Sequence, residues 1–152
     1  MDFSTFQSFV RERPELFEGV HPESADSLDA AESRLGFPLP SALRWLLHEW
    51  GYSDCCGIDT LDGAVDDTLT CREKFGLQHR YFVVNNWDDG GVVYLDIDTG
   101  RVRAWGDPCE LIDLAAGAMS AESVETFDDY AAWVEYLVER HAEPFPNATG
   151  NA

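Results

Sequence analysis

Residues 32–52 read ESRLGFPLPSALRWLLHEWGY, and the punctuation of this stretch decides the fold. A helix closes at Leu35, because Gly36 takes the left-handed cap conformation without a Cβ penalty. Pro38 and Pro40 then fix φ twice, and Pro40 sits near the first position of the next helix, where a missing N–H is harmless. From Leu43 the apolar residues fall at Leu43, Leu46, Leu47 and Trp50, the i, i+3, i+4, i+7 stripe of a helix that faces a core. Gly51 supplies the stop. Fully burying each of those four side chains contributes about 1.5–3 kcal/mol. The stretch therefore encodes two core helices joined at a stiff Gly-Phe-Pro-Leu-Pro corner.

Working outward, residues 2–35 predict two helices. The first is capped by Asp2 or Ser4, carries Phe3, Phe6, Phe9 and Val10, and ends or starts another turn at Pro14. The second starts near Ser24 or Asp26, with Leu28, Ala31 and Leu35 on one side. Downstream, Gly57, Gly63 and six acids interrupt any period over residues 53–80, leaving a short helix expected over 67–75. Residues 81–87, 92–97 and 101–105 alternate as strands of an antiparallel meander. Asp88-Asp89-Gly90-Gly91 and Asp98-Thr99-Gly100 supply its turns, since Gly and Asp tolerate the φ values that tight hairpins need. A last helix is expected over 127–141, capped by Thr126 and burying Ala131, Val134, Leu137 and Val138. A single domain over residues 1–142 is expected, with 143–152 (EPFPNATGNA) as a fraying tail.

Ten Lys and Arg stand against 29 Asp and Glu, a net charge of −19 over 152 residues. Nucleic acid and anionic membranes are excluded as direct ligands, because both need a basic surface. The acids are spread along the chain, so the folded body projects a negative field, which either maintains solubility or raises the on-rate for a basic partner. No apolar run is long enough to cross a bilayer, and MDFSTFQSFVRERPELF lacks the basic-then-apolar layout of a signal peptide. A cytoplasmic location is the expectation. Cys55, Cys56, Cys71 and Cys109 make no C-x-x-C pair and no zinc spacing, and read as reduced, part-buried thiols. Asn147-Ala148-Thr149 matches a glycosylation sequon by chance, given no secretion signal.

Catalytic and metal readings find little support. His21, His48, His79 and His141 lie in separate elements with no H-E-x-x-H. The Asp96-x-Asp98-x-Gly100 run puts Arg101 where a calcium loop needs glycine. There is no G-x-S-x-G elbow, and Asp66-Asp67, Asp88-Asp89 and Asp128-Asp129 read as solvated surface pairs. No catalytic residue, metal site or cofactor is expected. What remains is recognition. Asp54, Asp59, Asp62, Asp66 and Asp67 bunch in the connector, while Trp87, Asp88 and Asp89 mark the hairpin tip. An aromatic anchor rimmed by carboxylates suits a protein surface rich in Arg and Lys. Trp105 reads instead as a sheet-packing residue.

Three pieces in order resemble the SUKH superfamily, which includes fungal cell-wall-assembly regulators and many bacterial toxin-immunity proteins. They are AESRLGFPLPSALRWLLHEWG (31–51), FVVNNWDDGGVVYLDIDTGRVRAWGD (82–107) and TFDDYAAWVEYLVE (126–139). Trp50 departs from the polar residue, commonly Asn, that the family often places before the glycine. The resemblance implies an α+β fold: an antiparallel sheet of about four to six strands with helices packed mainly on one face. It also implies an immunity protein that binds a cognate toxin domain and occludes its active site; the net charge of −19 makes a basic toxin the expected partner, and a monomer or weak homodimer is the expected state. The alternative is a regulatory or scaffolding module that binds proteins without neutralising them.

Overall fold

Both corner helices form where the punctuation puts them. The computed structural model describes residues 1–87, 91–106 and 124–142, with Trp87, Trp105 and Ala142 described by backbone alone. In chain order the elements are α1 (Phe3–Arg11), α2 (Pro14–Phe17), α3 (Ala25–Leu35), α4 (Ser41–Glu49), α5 (Leu61–Phe75), β1 (Tyr81–Trp87), β2 (Gly91–Asp96), β3 (Val102–Gly106), β4 (Glu125–Phe127) and α6 (Tyr130–Ala142). Asp2 caps α1 by accepting the Thr5 N–H, and Ser24 caps α3 by accepting the Ser27 N–H. Pro14 opens α2 as its first residue, so the N-terminal stretch holds three helices where two were expected. Gly36 closes α3 at φ +86°.

A carboxylate clamps the corner between α3 and α4. Glu32 accepts the Leu39 N–H at 2.7 Å and Arg44 at 2.9 Å, and Arg44 also reaches Asp29 at 2.8 Å. Leu43, Leu46 and Leu47 are fully buried, as their spacing requires. Trp50 is only half-buried, because α4 ends one residue earlier and Trp50 becomes its C-cap.

The main correction is α5. It has 15 residues and starts at Leu61, six residues before the expected start. Thr60 caps it by accepting the Gly63 N–H at 3.1 Å. A second correction concerns residues 125–127, which form β4 beside β3, so Thr126 lies in a strand and does not cap a helix. The last helix is capped by Asp129, whose Oδ1 accepts the Ala132 N–H at 2.7 Å. Leu137 on that helix is half-buried, whereas Ala131, Val134 and Val138 are buried as expected.

The sheet is antiparallel with order β1-β2-β3-β4. Phe82, Val84, Val93, Leu95, Val102 and Ala104 join the helices in the main core. Tyr81, Val83, Val92 and Tyr94 form a smaller cluster with Leu77. This is an α+β domain with four strands and six helices among the described residues. The expected fraying of residues 143–152 falls outside the described residues.

Strand β1 is interrupted by a bulge. Val83 pairs with Tyr94, but Asn85 pairs with Val93, so Val84 is an extra residue in β1. A bulge of this kind re-aims the residues beyond it. Partners in a pair lie on one face, so Asn85 shares the helix-side face with Val93, where the 57–59 turn meets it.

Candidate protein-binding face

The segment 52–60, between α4 and α5, is built as a rigid shelf. Its centre is the turn Cys55-Cys56-Gly57-Ile58, all four residues buried. Gly57 adopts φ +81°, and a Cβ there would lie 2.7 Å from Trp133 Nε1, so this position needs glycine. The Gly57 carbonyl accepts both Asn85 Nδ2 at 2.9 Å and Trp133 Nε1 at 3.1 Å. The Cys56 carbonyl accepts the Tyr130 hydroxyl, and Cys56 Sγ donates to the Ile58 carbonyl at 3.1 Å. Asn85 Oδ1 then accepts the Asp59 N–H at 2.8 Å. Through these bonds β1 and α6 hold the backbone that carries Asp54 and Asp59.

Tyr52 holds the other side. Its hydroxyl accepts the Leu61 N–H at 3.0 Å and donates to Glu23 at 3.2 Å, joining the start of α5 to the entry of α3. Burial, with Glu23 beside it, pushes the Tyr52 phenol well above its usual pKa. Burial, then the Asp54 charge, raises the Cys55 thiol to about 11, and burial likewise raises Cys56. Both thiols are therefore neutral packing groups at physiological pH and poor nucleophiles.

Asp54, Asp59, Asp62 and Asp66 are exposed on the shelf and the first two turns of α5, and Asp67 is half-buried. Asp66 binds Arg34 at 2.9 Å, so part of its charge is used to join α5 to α3. Asp54 comes within 4.0 Å of His141. Among the described residues neither Asp59 nor Asp62 has a basic partner. Asp62, in the first turn of α5, also complements the helix dipole. Trp87 ends β1 two residues beyond Asn85, with its backbone paired to Gly91. Asp88 and Asp89 lie outside the described residues, as does Cys109.

The anchoring side chains Asn85, Tyr130 and Trp133 were missed in the sequence reading. The only signal available was Gly57 after two cysteines, an arrangement that suggests a buried tight turn. α5 runs antiparallel to β1: Thr68, midway along it, accepts the Val83 N–H at 2.9 Å, and Arg72 near its end donates to the His79 carbonyl at 3.0 Å. Its last turn carries Arg72 and Lys74. Charge is thus polarised along the helix, acids at the shelf and bases at the opposite end.

The matched family model is the SMI1 / KNR4 family (SUKH-1), over residues 22–133. The chain belongs to this family. The match runs from the entry of α3 through the shelf and the sheet into α6, and so covers the segments that carry Asp54, Asp59, Asp62 and Asp66. Comparison with curated proteins finds no match. Among the described residues, no helix is long and apolar enough to cross a membrane. No three His, Cys, Asp or Glu side chains among them gather as a metal site requires.

Proposed function

We propose that this SUKH-family chain is an immunity protein that neutralises a cognate, basic toxin domain by docking on it and covering its active site, without chemistry of its own. The observation that carries the reading is the acidic shelf. Asp54 and Asp59 flank a turn fixed by Asn85, Tyr130 and Trp133, and Asp62 and Asp66 are exposed on the helix that follows, α5. A preorganised face loses little entropy on binding, and its charge steers a cationic partner. Toxin domains that cut nucleic acid must themselves carry a basic groove, which such a face complements. Trp87, Asp88 and Asp89 extend the proposed contact past the end of β1. The family also supports a regulatory, protein-binding role, which would use the same face without neutralising its partner.

Stopped-flow association with the toxin tests the site. Changing Asp59, Asp62, Asp88 and Asp89 to Lys lowers the on-rate by about 10–10³ at low salt and flattens its dependence on ionic strength. Association kinetics identical to those of the unmodified chain would remove the acidic face from the interface.

A further inference from the structure

A second patch joins the shelf through Tyr52. Val20 and Tyr52 exchange both backbone hydrogen bonds, at 3.0 and 2.8 Å, and Gly19 donates to the Trp50 carbonyl at 3.2 Å. A Cβ on Gly19 would strike the Tyr52 backbone, and one on Gly51 would lie 2.5 Å from the Val20 carbonyl oxygen, so the two segments cross in direct backbone contact. His21 follows at φ +52°, a left-handed conformation unfavourable to any residue with a side chain, and it precedes Pro22, which favours extended backbone before it. Strain of this kind persists only where the surroundings hold it, and it gathers at binding sites. The residue next to it, Val20, is 60% exposed, more than any other large apolar side chain among the described residues. A cavity of about 440 Å³ opens at the crossing, lined by Gly19 and Pro22 on either side of Val20 in the chain. Trp45 and Trp50, each half-buried, wall it, and the Arg11 guanidinium stacks on Trp45 at 5.5 Å from the ring centroid. Glu18 and Glu49 complete the lining, both exposed and without a basic partner among the described residues.

We infer that Val20 and this cavity form the apolar centre of the surface on which the cationic protein docks, with one apolar side chain of that protein seated in the cavity that Trp45 and Trp50 wall. Residues that exchange both backbone bonds have Cα atoms about 5.5 Å apart, and two residues of chain span at most about 7 Å. Val20 therefore lies within about 13 Å of Asp54, and one partner covers both. Aromatic walls and an apolar lip with charge around them have the anatomy of an interface centre. The glutamates decide only the sign of what surrounds the anchor, which is Lys or Arg. A second copy of this chain is disfavoured, because a symmetric contact would set both glutamates against their own copies in bodies of net charge −19. A small ligand filling the cavity would leave Val20 uncovered. The inference rests on the proposed docking role and divides its labour: the acids of the shelf set the on-rate, and the apolar centre sets how long the complex lasts.

Association and dissociation of the full chain with the basic toxin domain encoded in the adjacent reading frame test the surface. Val20→Ser, at a position too exposed to disturb folding, is expected to raise the off-rate about tenfold while leaving the on-rate and its salt dependence unchanged. Fluorine NMR of the fluorotryptophan-labelled chain gives a second readout that needs no destabilising variant. The Trp50 resonance, assigned through Trp50→Phe, is expected to shift in the complex, while that of the fully buried Trp133 stays in place. An off-rate within about twofold of the unmodified chain, or a Trp50 resonance unmoved at saturation, overturns the surface. Self-association of the chain alone that Val20→Ser abolishes assigns the patch to a second copy and also overturns it. An unchanged off-rate beside an on-rate that Asp59→Lys and Asp62→Lys lower removes the apolar centre and leaves the docking role. A complex that depends on Val20 while the toxin stays active keeps the surface and removes neutralisation, and no complex at all removes both.

Discussion

Gly57 is the residue on which the candidate face turns, since its φ of +81° and the nearness of Trp133 leave no room for a side chain. Gly57→Ala is expected to cost about 1–3 kcal/mol from backbone strain alone, read as a lower urea midpoint. Asn85→Ala leaves the Asp59 N–H and the Gly57 carbonyl short of a partner and is expected to cost about 1–3 kcal/mol. Neither role was legible in the sequence. Asn85 meets the shelf only because the Val84 bulge moves it to the helix-side face, and a bulge is set by pairing across strands. The buried thiols give a pH signature. Folding raises the Cys55 pKa from about 9 in the open chain to about 11, so deprotonation favours the unfolded state. Stability from this group is intact below pH 9 and declines as pH rises through about 11. Urea midpoints across that window are expected to fall less steeply in Cys55→Ala than in the unmodified chain, and identical slopes would contradict the assignment.

Among the elements, the α3–α4 corner was the most legible and α5 the least. Gly36 and the prolines impose φ locally, so their effect can be read without tertiary context. α5 does bury an i, i+3, i+4, i+7 stripe, Leu61, Ala64, Val65 and Thr68, but two of its members are small or polar and the period stays faint. Thr68 tolerates complete burial because its hydroxyl donates to the Ala64 carbonyl at 2.8 Å and accepts the Val83 N–H. β4 was hidden for another reason. The run Thr126-Phe127-Asp128-Asp129 holds several residues able to cap a helix, and Phe127 settles the choice by packing on Trp133 and Tyr136, with ring centroids 5.2 and 5.1 Å away. Thr60→Ala is expected to destabilise α5 by about 1 kcal/mol through loss of its cap. Glu32→Ala leaves the Leu39 N–H without its acceptor and Arg44 with Asp29 alone, and is expected to cost about 1.5–3 kcal/mol, measurable by chemical denaturation.

For the whole molecule, a charge of −19 is tolerable because exposed carboxylates are well solvated. The same charge says nothing on its own about where a partner lands. The fold leaves Asp54, Asp59, Asp62 and Asp66 exposed on the shelf and the first two turns of α5, and Arg72 and Lys74 stand in that helix's last turn. Raising ionic strength is therefore expected to slow association with a basic partner and to change dissociation much less. Co-expression with a basic toxin domain encoded in the adjacent reading frame is the most direct measurement. Docking through the acidic face predicts restored growth and a stable complex, both lost when Asp59 and Asp62 are changed to Lys in a chain that still folds. Growth that is not restored, or that is restored equally by the charge-reversed chain, would contradict it.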